Sequence, residues 1–229
     1  MYMENFYLYI FILLCFIIAV SYWNTYATSK YALVESFNSD KQNFVLLGDS
    51  ILKNDAYVSD GKSVENLLVE RTNGKTTCLA IDHSKIVDIY SQIDKIPDNL
   101  NSNLTTIFLS AGGNDILTHY VDQGNDPTDT NILGSMFAAY KKLIKSIKNK
   151  LPNANIVLLD IYYPDNMTYQ QYHSIINEWN KMVYEYAGKN GISVLKISGV
   201  LTKPDDFSFG MEPSALGSRK LVDAILSSY

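Results

Sequence analysis

A chain of 229 residues, 47% apolar and 19% charged, is long enough to bury one sizeable core and has the balance of an ordinary globular protein. Its formal charge of −5, with no Lys/Arg block interleaved with aromatics, excludes a nucleic-acid surface. Only Arg71 and Arg219 offer guanidinium clamps, and two cysteines, Cys15 and Cys78, make neither a disulfide framework nor a metal-ligand cluster.

Residues 6–23 form an almost unbroken apolar run with no charge inside it. At about 1.5 Å per helical residue such a run just spans a hydrocarbon core, so residues 1–24 are read as an N-terminal membrane anchor. A cleaved signal peptide competes, because Thr25-Tyr26-Ala27 ends in a small residue, but the leader carries Glu4 and no basic residue. A buried core helix is the third reading. Lys30 and Lys41 after the run weakly favour a cytosolic domain, whereas sequons at Asn103 and Asn166 are usable only in a lumen, so the membrane side stays open. Residues 25–42 read as a tether and 43–229 as the globular domain.

That domain opens with Phe44-Val45-Leu46-Leu47 running straight into Gly48-Asp49-Ser50. A buried strand that stops so abruptly delivers a hydroxyl at its carboxyl end, the edge where open α/β sheets bind ligands. Glycine at 48 lets the chain turn sharply and leaves the Ser50 hydroxyl and N–H facing a crevice. A plain turn is the alternative, since the same residue types build ordinary turns.

Residues 51–62 read as loop. Ser63 caps a helix to about residue 71, ended by Asn73-Gly74. A strand over 76–81 leads into Asp82-His83-Ser84, then a helix with Ile86, Ile89, Tyr90 and Ile93 at amphipathic spacing. The strand at 105–110 ends in Ala111-Gly112-Gly113-Asn114-Asp115. An acidic loop follows, then a helix over 131–150 whose last turns are lysine-rich. Next come a strand at 155–161, the longest helix over about 169–189 with Gly191 as its left-handed cap, and a strand at 192–197. An irregular stretch with Pro204 and a helix over 214–227 close the chain. Asp49 and Asp115 are read as structural turn residues. Tyr162, Tyr163 and the aromatics of the long helix are read as core, with an acyl-pocket lining as the alternative.

Five alternations of strand and helix predict a parallel sheet covered by helices on both faces, a three-layer α/β/α sandwich. The turns at Ser50, His83 and Asn114 then share one edge.

Gly48-Asp49-Ser50 and Gly112-Gly113-Asn114-Asp115, each after its strand, resemble the SGNH or GDSL-type hydrolases of esters and lipids, over roughly residues 43–217. The resemblance implies a flavodoxin-like five-stranded sheet, Ser50 as nucleophile, and an oxyanion site formed by the Ser50 N–H and the Asn114 amide. The family's third donor is a backbone N–H of a glycine after the second strand; here His83 stands in its place. The family's Asp-x-x-His before a proline is also missing, with Phe209 and Glu212 at those positions ahead of Pro213. The tail is similar to a subgroup that reads Glu-Pro-Ser followed by a glycine, as at Gly217.

Three readings fill the gap. Glu212 takes the Ser50 proton, if burial raises its pKa. Alternatively His83 does so, since its turn lies near Ser50, whereas His119 and His173 sit further along loop and helix. Or the chain binds an acyl or carbohydrate ligand without hydrolysing it. The leading expectation is a membrane-anchored hydrolase of a small ester or acyl substrate; no metal or organic cofactor is indicated, and the phosphate-loop and zinc-protease motifs are absent.

Overall fold

In the computed structural model, which describes residues 20–21 and 42–228, the apolar runs of the sequence pair into one parallel sheet. Its strands are β1 (Asn43–Leu47), β2 (Thr76–Cys78), β3 (Thr105–Leu109), β4 (Asn155–Leu159) and β5 (Ser193–Leu195). They lie in the order β2-β1-β3-β4-β5, which is the flavodoxin-like arrangement. Leu46 stands opposite Cys78 on one side and Phe108 on the other, so the three strands that carry the polar turns end in register.

Because side chains alternate across a strand, the sheet feeds two cores. The helices are α1 (Ser50–Lys53), α2 (Val64–Arg71), α3 (Ile89–Ile93), α4 (Gly113–Ile116), α5 (Asn131–Lys150), α6 (His173–Asn190) and α7 (Ala215–Ser227). Val45, Leu47, Ile107, Leu109 and Leu158 pack with α3, α5 and α6, around Phe137, Tyr140 and Trp179. Phe44, Leu46, Phe108, Val157 and Leu159 pack with α1, α2 and α7. The expected three-layer sandwich is present in the unit Gln42–Tyr229. The apolar run over 6–23 lies, apart from helical Val20 and Ser21, outside the described residues, among which no helix is long and apolar enough to cross a membrane.

Local chemistry sets the element ends. Ser63 Oγ accepts from the Asn66 N–H at 3.1 Å and caps α2, and Gly191, at φ +60°, ends α6. The sequence expectation differs in several places; the helix expected through Ile86 begins only at Ile89, and the strands expected at 155–161 and 192–197 end at Leu159 and Leu195. The stretch after Ser50, expected as loop, forms α1 and a 3-10 turn over Asp55–Tyr57. The second strand is only three residues long, although Leu79 and Ile81 beyond it still donate their N–H groups to Leu46 O at 2.9 Å and Gly48 O at 3.0 Å as the chain follows the β1 turn. The helix expected from about 169 begins at His173, since Asn166 caps a separate 3-10 turn over Met167–Tyr172; α6 therefore has 18 residues and α5, with 20, is longer. Finally, the stretch expected as irregular holds a small antiparallel ladder, β6 (Phe207–Ser208) with β7 (Glu212–Pro213).

Candidate active site

The first turn brings Ser50 to the carboxyl rim of the sheet. Gly48 adopts φ +136°, and a Cβ built there would sit 2.1 Å from Ser110 O, so β1 and β3 approach this closely only with glycine at 48. Asp49 accepts from Ser110 Oγ at 2.8 Å and from the Ile51 N–H at 3.3 Å, the structural role expected of it. Ser50 then opens α1, where backbone N–H groups lack intrahelical acceptors.

The short ladder brings Glu212 to the same place. Ser50 Oγ donates to Glu212 Oε1 at 3.1 Å across 162 residues of chain. Glu212 is 8% exposed, and its Oε2 is buried with no hydrogen-bond partner. Burial pushes its carboxyl up to about 7; the nearby Asp49 and Asp82 charges add to this, and the Ser50 hydrogen bond pulls it back. Asp49 is raised to about 6, again by burial first, with the Ser110 and Ile51 hydrogen bonds opposing.

Asn114 and His83 come from the other two turns. Asn114 spends one amide hydrogen on Ser84 O at 3.0 Å, which fixes the side chain and leaves the second hydrogen for another acceptor. Asp115 accepts from the Ile86 N–H at 3.0 Å, a bond across 29 residues rather than within its own turn. His83 adopts φ +58°, the left-handed conformation that suits a glycine, and its N–H donates to its neighbour Asp82 Oδ1 at 3.2 Å. The His83 side chain is 81% exposed, 3.8 Å from Asp82 Oδ2. It lies outside the cavity that Ser50, Asn114 and Glu212 share.

That cavity has a volume of about 70 Å³. Beyond the polar trio its walls are Ile116, Leu117, Val121, Ile161, Ile176 and Met211, with Tyr162 and Tyr172 among the aromatics. Tyr162, read as core from the sequence, is both: it is buried, lines the cavity, and donates its hydroxyl to Met211 O at 2.6 Å. Leu117 and Val121 come from a π-helical turn over Leu117–Asp122, an irregularity common at functional sites.

Two buried amides that the sequence reading passed over hold the trio together. Gln92 accepts from the Gly48 N–H at 2.8 Å and donates to Gly48 O at 2.8 Å and Ser84 Oγ at 3.1 Å, clamping the first turn to the second. Asn54, at φ +32°, donates to Pro213 O at 3.0 Å and Ser218 Oγ at 2.7 Å and accepts from the Val64 N–H at 2.8 Å. It thus ties the end of α1 to the strand carrying Glu212. Gln92 had a signal: it is the polar residue on the face defined by Ile89 and Ile93.

Comparison with known proteins bears on the family and the fold. The model of the GDSL-like lipase/acylhydrolase family matches residues 46–220. No curated protein matches the chain. Among solved structures, a lipolytic protein of the G-D-S-L family from Veillonella parvula DSM 2008 is 20% identical and covers 82% of this chain and 98% of its own, with a TM-score of 0.61. Phospholipase A1 from Streptomyces albidoflavus NA297 is 14% identical and covers 82% of this chain and 100% of its own, with a TM-score of 0.60. A GDSL-like lipase from Bacteroides thetaiotaomicron VPI-5482 is 16% identical and covers 90% and 95%, with a TM-score of 0.60. At these identities the structural likeness is one of fold. The family model goes further, since it runs from within β1 to within α7 through the Ser50 and Asn114 turns alike, and the chain belongs to the GDSL-like lipase/acylhydrolase family.

Proposed function

We propose that the protein hydrolyses carboxylic esters through a serine–glutamate pair. Ser50 Oγ attacks the carbonyl carbon while its proton passes to Glu212 Oε1. The Asn114 amide and the Ser50 N–H hold the developing oxyanion, donors that typically stabilise such a transition state by about 3 kcal/mol each. Glu212 then protonates the departing alcohol, leaving an acyl-enzyme. A water attacks that ester, gives its proton to Glu212, and Ser50 leaves with the proton back on its oxygen.

The observation that carries this reading is the 3.1 Å hydrogen bond from Ser50 to Glu212 in the cavity that Asn114 also lines. Two further features support it. A carboxyl raised to about 7 is a competent proton acceptor near neutral pH, unlike an ordinary glutamate. The left-handed backbone at His83 also keeps the family's third donor geometrically open, although that N–H must exchange its bond to Asp82 for one to substrate.

Labelling by a fluorophosphonate probe tests the assignment. It is expected in the wild-type chain, absent in Ser50→Ala, and slowed roughly 10²–10⁴-fold in Glu212→Gln, the range for loss of a general base. No labelling of the wild type would instead favour a module that binds an acyl or carbohydrate ligand without turnover. The run over 6–23 is read as a membrane anchor for this domain; retention of the full chain in membranes through alkaline carbonate extraction supports that reading, and release overturns it.

A further inference from the structure

The loop before α6 and the turn between β6 and β7 meet beside the cavity. The Asn166 N–H donates to Gly210 O at 3.3 Å, and a Cβ built at Gly210 would lie 2.9 Å from the Asn166 Cβ. The next residue on one segment is Met167, 82% exposed, and the preceding residue on the other is Phe209, 83% exposed. No other large apolar residue among the described ones exposes as much of itself. Phe209 moreover sits at φ +54°, a conformation unfavourable for a residue with a Cβ, and it gains no buried contact in return. Pro164, Tyr172 and Met211, from the same two segments, line the cavity.

We infer that Met167 and Phe209 form a lipid-contact rim at the mouth of the Ser50 cavity, seating the domain on an uncharged membrane surface from which an ester substrate enters. This rests on the ester-hydrolase reading for what enters, but not for the contact itself. A protein partner is a poorer occupant, since a specific interface needs about 800 Å² per partner and one aromatic side chain buries roughly 150–250 Å². A lipid surface takes isolated apolar side chains without a matching pocket. Its charge follows from the segments themselves: residues 162–172 and 207–214 contain no lysine or arginine, and their one acidic residue outside the cavity is Asp165. Anionic headgroups therefore find no partner there, whereas zwitterionic ones meet no penalty beyond that of the apolar contact.

The test uses the full chain in phosphatidylcholine vesicles, with the photo-crosslinking amino acid benzoylphenylalanine placed at 209 or, as control, at Leu104, which is exposed beside the start of β3 on the opposite rim. Lipid adducts are expected at 209 and not at 104. In parallel, Phe209→Ser and Met167→Ser are each expected to lower turnover of a long-chain p-nitrophenyl ester dissolved in the vesicles about tenfold, with p-nitrophenyl acetate in solution turned over within twofold of wild type. Absence of lipid adducts at 209, adducts to a second protein chain there, or equal losses on both esters overturns the proposal. Lipid adducts from the chain substituted at 209, with a wild-type chain that hydrolyses neither ester, retain the rim and reject the catalytic reading.

Discussion

A glutamate in water is a poor base, because near its ordinary pKa of about 4.3 it gives up its proton readily and takes none at neutral pH. Glu212 differs by position: one oxygen meets the Ser50 hydroxyl and the other is buried with nothing to stabilise its charge. The same burial makes Glu212 a liability to the fold. A carboxyl raised from 4.5 to about 7 holds its proton more tightly folded than unfolded, so stability present below about pH 4.5 is lost as pH rises through about 7. Glu212→Gln should therefore be more stable than wild type at pH 8, by about 2 kcal/mol in chemical denaturation, with the gain fading toward pH 4 while activity is lost. Equal denaturation midpoints at pH 8 would mean that the carboxylate is not destabilised by its site. Asn114→Ala should lower kcat about 10²–10³-fold with little change in folding, since among the described residues the amide's one hydrogen bond is to Ser84 O.

At the scale of elements, the Glu-Pro-Ser-x-x-Gly tail is a device for placing one carboxylate. Ser214 caps α7 by accepting from the Leu216 and Gly217 N–H groups, both at 3.2 Å. Gly217 lets α7 press against the chain before β6, because a Cβ there would fall 2.2 Å from Asp206 O. Gly217→Ala is expected to shift the ladder that holds Glu212, costing about 1–3 kcal/mol and slowing fluorophosphonate labelling; unchanged labelling would separate α7 from the site. Asn54→Ala, which leaves the buried Val64 N–H without its side-chain acceptor, should cost about 2 kcal/mol and slow labelling as well. Much of this architecture was legible in the chain. Apolar runs ending at Gly48 and at Ser110 mark strands by their abrupt polar stops, and α5 shows its boundaries at Asn131 and Lys150 through periodicity and charge. Other parts leave no such trace. A two-residue ladder such as β6 with β7 has no periodicity, and α1 is written in residues that usually signal a turn. Asn54 and Gln92 act through partners 159 and 44 residues away, which local pattern does not encode.

On the scale of the whole molecule, the sheet order places β1 between β2 and β3, so turns that begin at residues 48, 79 and 110 crowd one rim, and the tail returns to it. That concentration of carboxyls governs the response to pH. Asp49, Asp115 and Glu212 are all raised chiefly by burial, and the contribution of Asp49 and Glu212 is lost as pH climbs through about 6 and about 7, that of Asp115 as pH climbs above the usual carboxylate range. Asp98, Asp126 and Asp206 are lowered, Asp98 by the Lys150 hydrogen bond, Asp126 by the Thr128 N–H and Asp206 by Lys220 against its own burial; their contribution is lost below about pH 3.8. Thermal stability should therefore peak near pH 4–5 and fall toward pH 8, the opposite of the activity profile. A Tm that climbs steadily from pH 5 to 8 would contradict this. The most direct measurement is the rate of fluorophosphonate inactivation as a function of pH, in wild type and in Glu212→Gln. The wild-type rate is expected to rise with pH through a midpoint at about 7, and the variant's rate to be lower by roughly 10²-fold or more and to lack that midpoint. Equal rates and equal pH profiles in the two proteins would show that Glu212 is not the group that takes the Ser50 proton.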